Sequence, residues 1–548
     1  MTLWRSRRRS SVAVLVDQIL LPRVVSLLLR SVGLRLLAAR VRILRQRLLR
    51  HVRDVLSLLR LLLVLLQLVA HLLLLRGLLV ACVRRLGLRR GGAGHRQQGG
   101  QRTKSTMDAC DCHGFWAIIG RTPASYGIRM KSLSRLLLSA LVAFSAGCAT
   151  HPSTMHAAIA TRPAPLLLVS IDAFRADYID RGLTPTLAML AQGGVHADAM
   201  QPAFPSLTFP NHYTIVTGLY PDHHGIVNNT MYDPVLGKFS LGNAKAVGDG
   251  RWWAGGTPIW EDADAHGLRT ATMFWPGSEA DIHGKHPDYW QPYQGDETPD
   301  QRVDQVLAWL DLPAAQRPAF LTLYFDAVDH AGHAHGPDSP EVNQALRDTD
   351  AALARLVAGL KQRGLFDRLN LIVLADHGMA GNPLANSVLI EQRVPLDEVQ
   401  TVSLGIVAGF NPKPGFDFAA IERKLEQPQQ HMRCWDKTRI PARLHYGSNP
   451  RVPQLVCVAD TGWRITTADY QAKHKGHISI GEHGYDNADP LMRALFVAHG
   501  PAFQAGLRFP EFPNVDVYPL MTHLLGIPAD RNDGDYDAVK GMLKPDAR

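Results

Sequence analysis

LIVLADHGM, residues 371–379, runs through five apolar residues and stops on two groups that can hold a metal. Leu369–Ala375 reads as a strand covered on both faces, because a short continuous apolar run cannot leave one side in water. Asp376 and His377 then stand at its carboxyl end. The same grammar recurs twice. In LLLVSIDAFRADY (166–178) the strand Leu166–Ile171 leads into Asp172. The strand Ala319–Phe325 runs into YFDAVDHAGHAHGP (324–337), which carries Asp329 and His333. GEHGYDN (481–487) adds His483 with no strand before it. An open α/β sheet builds its site in this way, at the carboxyl ends of its strands.

Six Asp and His ligands with no Cys suit two divalent metals of the zinc type. Two such ions can clamp the attacking and leaving oxygens of a phosphoryl transfer. The spacing of Asp329 and His333 is i, i+4, but Gly332 between them makes a turn the expected conformation.

Length and charge narrow the rest. The chain has 548 residues and a formal net charge of +10. Residues 1–106 alone carry 22 Lys+Arg against Asp17 and Asp54, whereas 107–548 carry 37 against 47 acids. The basic balance therefore belongs to a Leu/Arg-rich extension, and a specific nucleic-acid partner is not expected. Only Leu61–Leu75 approaches a membrane span, and it falls short of the ~20 residues one needs. The extension, 1–129, reads either as a membrane-associating segment or as text upstream of the true start. The second reading is preferred, because Met130 opens a signal peptide. Lys131 and Arg135 form its basic end, Leu136–Phe144 its apolar stretch, and small residues follow. Ser145-Ala146-Gly147-Cys148 resembles a bacterial lipoprotein box, with Ser145 where Leu is usual. The expectation is an exported protein, periplasmic or an outer-membrane lipoprotein of a bacterium. Its one membrane attachment would be a lipid at Cys148.

After the signal (130–148), residues 149–165 read as a linker and 166–545 as the catalytic domain. Thr184–Gln192 reads as a helix with Thr184 as N-cap and Pro185 at its first position. Pro340–Arg363 reads as a helix closed by Gly364. Arg493–Ala498 reads as a strand and Val515–Leu525 as a helix. Strands alternating with helices imply a mostly parallel sheet with both faces covered. Between about 394 and 475 the pattern loosens into short strand signals, Val402–Ala408 and Gln454–Val458. This reads as a smaller inserted α+β subdomain. It holds Cys434 and Cys457, either a disulfide or two buried thiols.

AFPSLTFPNHYTIVTGLYPDHHGIVNNTMYDP (203–234) completes the set. With TFPNHY, G-L-Y-P-x-x-H-G, DHAGHAHGP, ADHGM and HGYDN in order, the chain resembles the nucleotide pyrophosphatase/phosphodiesterase family of the alkaline phosphatase superfamily. The likeness covers about residues 163–545. It implies an alkaline-phosphatase-like α/β fold and Thr208 as nucleophile. Asp172, Asp376 and His377 would hold one Zn2+ beside Thr208. Asp329, His333 and His483 would hold a second, which serves the water of the second step. Asn229 would bond a phosphoryl oxygen. Phe209 and Tyr324 match positions that stack a nucleotide base; core packing is the bland alternative for both. His212, His223, His224, His330 and His335 receive no metal role. The chain departs from some animal members in carrying Leu207 and Thr230 where they have lysines. No Arg stands beside Thr208, which argues for a diester over a monoester.

The resemblance thus implies two-step hydrolysis of nucleotide pyrophosphate and phosphodiester bonds through a phospho-threonine. A phospholipid- or choline-phosphodiester hydrolase, a monoesterase or sulfatase, and a metal-binding lipoprotein without turnover are the alternatives. Thr208-Phe209-Pro210-Asn211 lacks the C/S-x-P-x-R context of a formylglycine sulfatase.

Overall fold

A computed structural model of the chain describes residues 163–475 and 477–548. The extension 1–129, the signal stretch 130–148, Cys148 and most of the linker lie outside the described residues.

Every side chain of Leu166–Ile171, Phe320–Phe325 and Asn370–Leu374 is buried. Successive side chains in a strand point to opposite faces, so both faces of this sheet must be covered. The main sheet has eight strands: β1 (Leu166–Ile171), β2 (Val195–Ala197), β3 (Thr270–Met273), β4 (Tyr289–Trp290), β5 (Phe320–Phe325), β6 (Asn370–Leu374), β7 (Phe496–His499) and β8 (Leu507–Phe509). Their spatial order is β8-β2-β7-β6-β1-β5-β3-β4. β6, β1, β5, β3 and β4 pair in parallel. β7 alone runs against its neighbours β6 and β2. The sheet is mostly parallel, flanked by helices, as the apolar runs require. The strand expected at Arg493–Ala498 begins later, at Phe496. Ala494 is instead spent on isolated bridges to Arg175 and Met200.

Six helices matter for the site: α1 (Pro185–Gly193), α2 (Thr208–Thr217), α3 (Pro299–Leu310), α4 (Ala327–His335), α5 (Pro340–Gln362) and α6 (Val517–Leu525). α5 packs on α1, α3 and α4, and α6 packs on α2. The helix expected from Val515 opens with a 3-10 turn, Asn514–Asp516, before α6. Thr184 sits at the N-cap of α1, yet its hydroxyl caps nothing. The Asp350 carboxylate of α5 takes the first-turn N–H groups of Thr186 and Leu187, at 3.0 and 2.9 Å. An anion suits the positive end of the helix better than a hydroxyl does.

Residues 399–459 form a separate four-stranded antiparallel sheet, ordered 399–403, 407–412, 455–459, 432–436, with the helix Phe418–Leu425. The single strand signal at Val402–Ala408 is in fact two strands of a hairpin. Gly405, at φ +113°, makes the turn that divides them. Cys434 and Cys457 face each other across neighbouring strands and are joined as a disulfide. Asp222 ties this region to the body by accepting from the N–H groups of Gly447, Ser448 and Asn449 at 2.8–2.9 Å. Among the described residues no helix is long and apolar enough to cross a membrane.

Candidate active site

Asp172 follows β1 directly, Asp376 and His377 follow β6 after Ala375, and α4 begins two residues after β5. The parallel sheet thereby delivers three ligand-bearing segments to one edge. α4 corrects the expected turn: Asp329 and His333 lie one above the other on a helix. Gly332 does not bend the chain; it lies inside the helix where the segments around Met379 and Gly481 come close. A Cβ there would meet Met379 Cε at 2.9 Å, and one on Gly481 would meet the Gly332 carbonyl oxygen at 2.2 Å. The Gly481–Glu482 strand that precedes His483 can press against α4 because Gly481 is bare.

The six side chains fall into two groups, Asp172 with Asp376 and His377, and Asp329 with His333 and His483. Within each group the candidate ligand atoms lie within 4.8 Å of one another. His377 Nε2 is 2.9 Å from Asp376 Oδ2 and 3.6 Å from Asp172 Oδ1. Asp329 Oδ1 is 3.4 Å from His333 Nε2 and 3.6 Å from His483 Nε2. The rings of His377 and His483 stack at 3.6 Å, so the groups share a wall.

Hydrogen bonding fixes which ring nitrogen each His presents. His377 Nδ1–H donates to the Gly378 carbonyl at 2.9 Å, His333 Nδ1–H to Gly481 at 2.8 Å, and His483 Nδ1–H to Ser206 at 3.0 Å. All three rings therefore turn a bare Nε2 lone pair inward, which is how a metal-ligating His is held. His333 Nε2 and His483 Nε2 approach to 3.1 Å, an arrangement of two acceptors that a cation resolves. Asp172 Oδ1, Asp329 Oδ1 and Asp376 Oδ2 are buried without a hydrogen-bond donor. Orphaned buried carboxylate oxygens are costly unless a cation meets them. The donor set fits hard-to-borderline divalent metals on both sides.

Electrostatics agree. Burial pushes the Asp172 carboxyl well above the usual range, and Asp376 and Asp329 push the same way. Burial would raise Asp376 too, but His377 and His212 outweigh it and hold it well below. Burial drives His483 well down, and His377 and His333 add to it. Burial and the neighbouring carboxylates thus oppose the charge on Asp172, and a divalent cation would remove that conflict.

Thr208 is the first residue of α2, not its cap. Its hydroxyl faces His377 Nε2 at 3.3 Å. Asn229 Oδ1 accepts the Phe209 backbone N–H at 3.0 Å, which leaves the amide NH2 free for an anion over Thr208. Phe209 is half-buried and packs on Phe239 and Trp253.

Tyr324 departs from its expected place as a base platform. It is 8 % exposed, and its hydroxyl donates to Asp172 Oδ2 at 2.6 Å, so it orients a ligand. The aromatic that does meet solvent beside it is Tyr293, 45 % exposed, with ring centroids 6.4 Å apart. Tyr293 has no strand or helix pattern around it, and only its hydrophobic size in a polar loop could have flagged it. His212 lies outside both ligand groups but close by. Its Nδ1–H bonds the Thr208 carbonyl at 2.9 Å and its Nε2 lies 2.8 Å from Ser170 Oγ.

The profile of the family described as type I phosphodiesterase / nucleotide pyrophosphatase matches residues 166–486. The chain belongs to the nucleotide pyrophosphatase/phosphodiesterase family, in the alkaline phosphatase superfamily. An uncharacterized pyrophosphatase/phosphodiesterase of Schizosaccharomyces pombe is 38% identical over 384 residues, 68% of this chain and 79% of the yeast protein. Mouse ectonucleotide pyrophosphatase/phosphodiesterase family member 1 is 38% identical over 69% of this chain, and the venom phosphodiesterase of Naja atra 40% over the same share. Those matches span 43% and 46% of the mouse and cobra proteins, less than half of each. Murine ectonucleotide pyrophosphatase/phosphodiesterase 5, an inactive Thr-to-Ala variant in complex with AMP, superposes at a TM-score of 0.66 and 33% identity. That match covers 70% of this chain and 100% of the murine one. The phosphodiesterase fold is therefore shared by the region that carries all six candidate ligands and Thr208.

Proposed function

We propose that this chain is a two-zinc hydrolase of nucleotide pyrophosphate and phosphodiester bonds that works through a phospho-threonine. The observation that carries the reading is the Thr208 hydroxyl placed against one of two adjoining Asp/His groups whose lone pairs all face inward. Asp172, Asp376 and His377 would hold one Zn2+, and Asp329, His333 and His483 the other. Bound zinc would supply Lewis acidity and lower the pKa of hydroxyl groups near it.

Thr208 Oγ attacks phosphorus in line, the new Oγ–P bond replaces the bond to the leaving group, and the hydroxyl proton is lost to solvent. Water then cleaves Oγ–P, releasing a monoester and restoring Thr208. The Asn229 NH2 and the Thr208 backbone N–H at the start of α2 receive the phosphoryl oxygens. The murine neighbour in complex with AMP supports a nucleotide ligand. Phe209 and the exposed ring of Tyr293 offer aromatic faces for a base, each worth roughly 1–3 kcal/mol. Leu207 and Thr230 place no cation beside Thr208 and Asn229, which favours one phosphate at the site over a triphosphate clamp. We also propose export through the Met130–Cys148 signal, with a lipid at Cys148 as the anchor; the basic, apolar and small-residue order of that stretch supports it.

The test is the turnover of zinc-loaded residues 149–548 on three nitrophenyl esters. A thymidine-monophosphate diester is expected to be hydrolysed in preference to nitrophenyl phosphate and to a nitrophenyl choline-phosphate diester. Preference for the choline ester would point to a lipid headgroup substrate, and preference for the monoester would remove the diester reading.

A further inference from the structure

Arg302 is among the largest fully buried side chains of the protein. Each of its three nitrogens donates inside the protein. Nε donates to the Glu297 carbonyl at 3.1 Å, Nη1 to the Tyr324 carbonyl at 3.0 Å, and Nη2 to Asp326 Oδ2 at 3.1 Å. The same Asp326 oxygen accepts the Tyr293 hydroxyl. The guanidinium carbon lies 5.1 Å from the Phe274 ring centre and 5.9 Å from that of Tyr293. Phe274 in turn braces the Tyr293 ring edge-on at 5.2 Å. Burying an ion pair is weak evidence for stability, because desolvation offsets its attraction, and its clearest use is to fix a geometry. What this pair fixes is an exposed tyrosine ring beside Tyr324, the residue whose hydroxyl rests on Asp172. Asp326 also stands immediately before α4, which carries Asp329 and His333, though its carboxylate is committed to Arg302 and Tyr293 and not to the helix N–H groups. One buried pair thus joins the aromatic rim of the cleft to the helix under its metal ligands.

We propose that Arg302 and Asp326 are positioning residues that set the face Tyr293 presents to a nucleotide base, and so set the preference for nucleotide diesters. Neither touches substrate. The proposal rests on the nucleotide reading above. A tyrosine ring freed from its phenol anchor would rotate over the cleft and lose much of its stacking. A pair that merely fastened α3 to β5 would affect all diesters alike.

The experiment compares two esters with the same leaving group, thymidine 5′-monophosphate 4-nitrophenyl ester and methyl 4-nitrophenyl phosphate, in the zinc-loaded protein. The readout is the ratio of their kcat/KM values. Wild type is expected to favour the nucleotide. Tyr293→Phe keeps the ring and removes the anchor, and is expected to lower the ratio roughly fivefold or more, mainly through KM. Asp326→Ala is expected to lower it similarly, and the double variant no further than either single one. An additive double variant, or an equal loss on both esters in Asp326→Ala, overturns the proposal. If Asp326→Ala does not fold, Tyr293→Phe against Tyr293→Ala decides: an unchanged ratio in the first with a fall in the second contradicts it. A wild type with no nucleotide preference removes the nucleotide reading itself, and this inference with it.

Discussion

Single side chains carry the chemistry here through which of their atoms is already committed. Each of the candidate ligands His333, His377 and His483 spends Nδ1–H on a backbone carbonyl, which leaves Nε2 open for a metal. Asn229 spends its oxygen on the Phe209 N–H, so its NH2 is what remains. His224 shows the opposite commitment and explains why a His in the same motif gets no metal. Its Nδ1 accepts from the Ile226 N–H at 3.1 Å and its Nε2 pairs with Thr214 Oγ1 at 3.0 Å, a neutral ring fully satisfied. Burial, the largest influence, pushes its pKa down to about 3. A His lowered in the folded state gives stability that is full above the unfolded value near 6.5 and is lost as pH falls toward 3. Between pH 7 and pH 4.5, His224 alone should remove about 2–3 kcal/mol. Urea unfolding at both pH values checks this: His224→Gln should lose less stability over that interval than wild type, and equal losses would count against it.

At the scale of elements, what was legible in the sequence was what local pattern controls. β1, β5 and β6 are short apolar runs without alternation, and their ends fell within a residue of the expected ones because burial on both faces leaves no slack. Contacts between distant segments were not legible. Gly332 read as a turn because nothing nearby in sequence announces Met379 and Gly481 as its neighbours. Thr184 read as a working cap because Asp350 is 166 residues further on. Tyr324 read as a base platform because its hydroxyl bond to Asp172 spans two strands. The Gly332–Gly481 contact gives a testable consequence. A Cβ on Gly481 would stand 2.2 Å from a rigid carbonyl, whereas one on Gly332 would meet the flexible end of Met379. The Gly481 carbonyl also orients His333. Gly481→Ala should therefore weaken zinc at the Asp329/His333/His483 group by roughly 10–100-fold, and Gly332→Ala by less. Competition with a chelator measures it, and an unchanged affinity in Gly481→Ala would contradict the role given to this contact.

For the molecule as a whole, the doubly covered parallel sheet and the two ligand groups were readable because strand ends and ligands coincide in sequence. The second sheet was only half readable. Its strands are brief, its hairpin turns on Gly405, and its attachment through Asp222 joins residues more than 220 apart. These levels meet in the proposal made above, with Thr208 as nucleophile at a site that two zinc ions would complete. The most direct measurement is zinc content and turnover of the thymidine nitrophenyl ester for wild type and Thr208→Ala side by side. The account predicts two zinc per chain in both proteins, with turnover lower in Thr208→Ala by at least about 10³-fold. A Thr208→Ala protein that keeps its zinc and still turns over within about tenfold of wild type would contradict it.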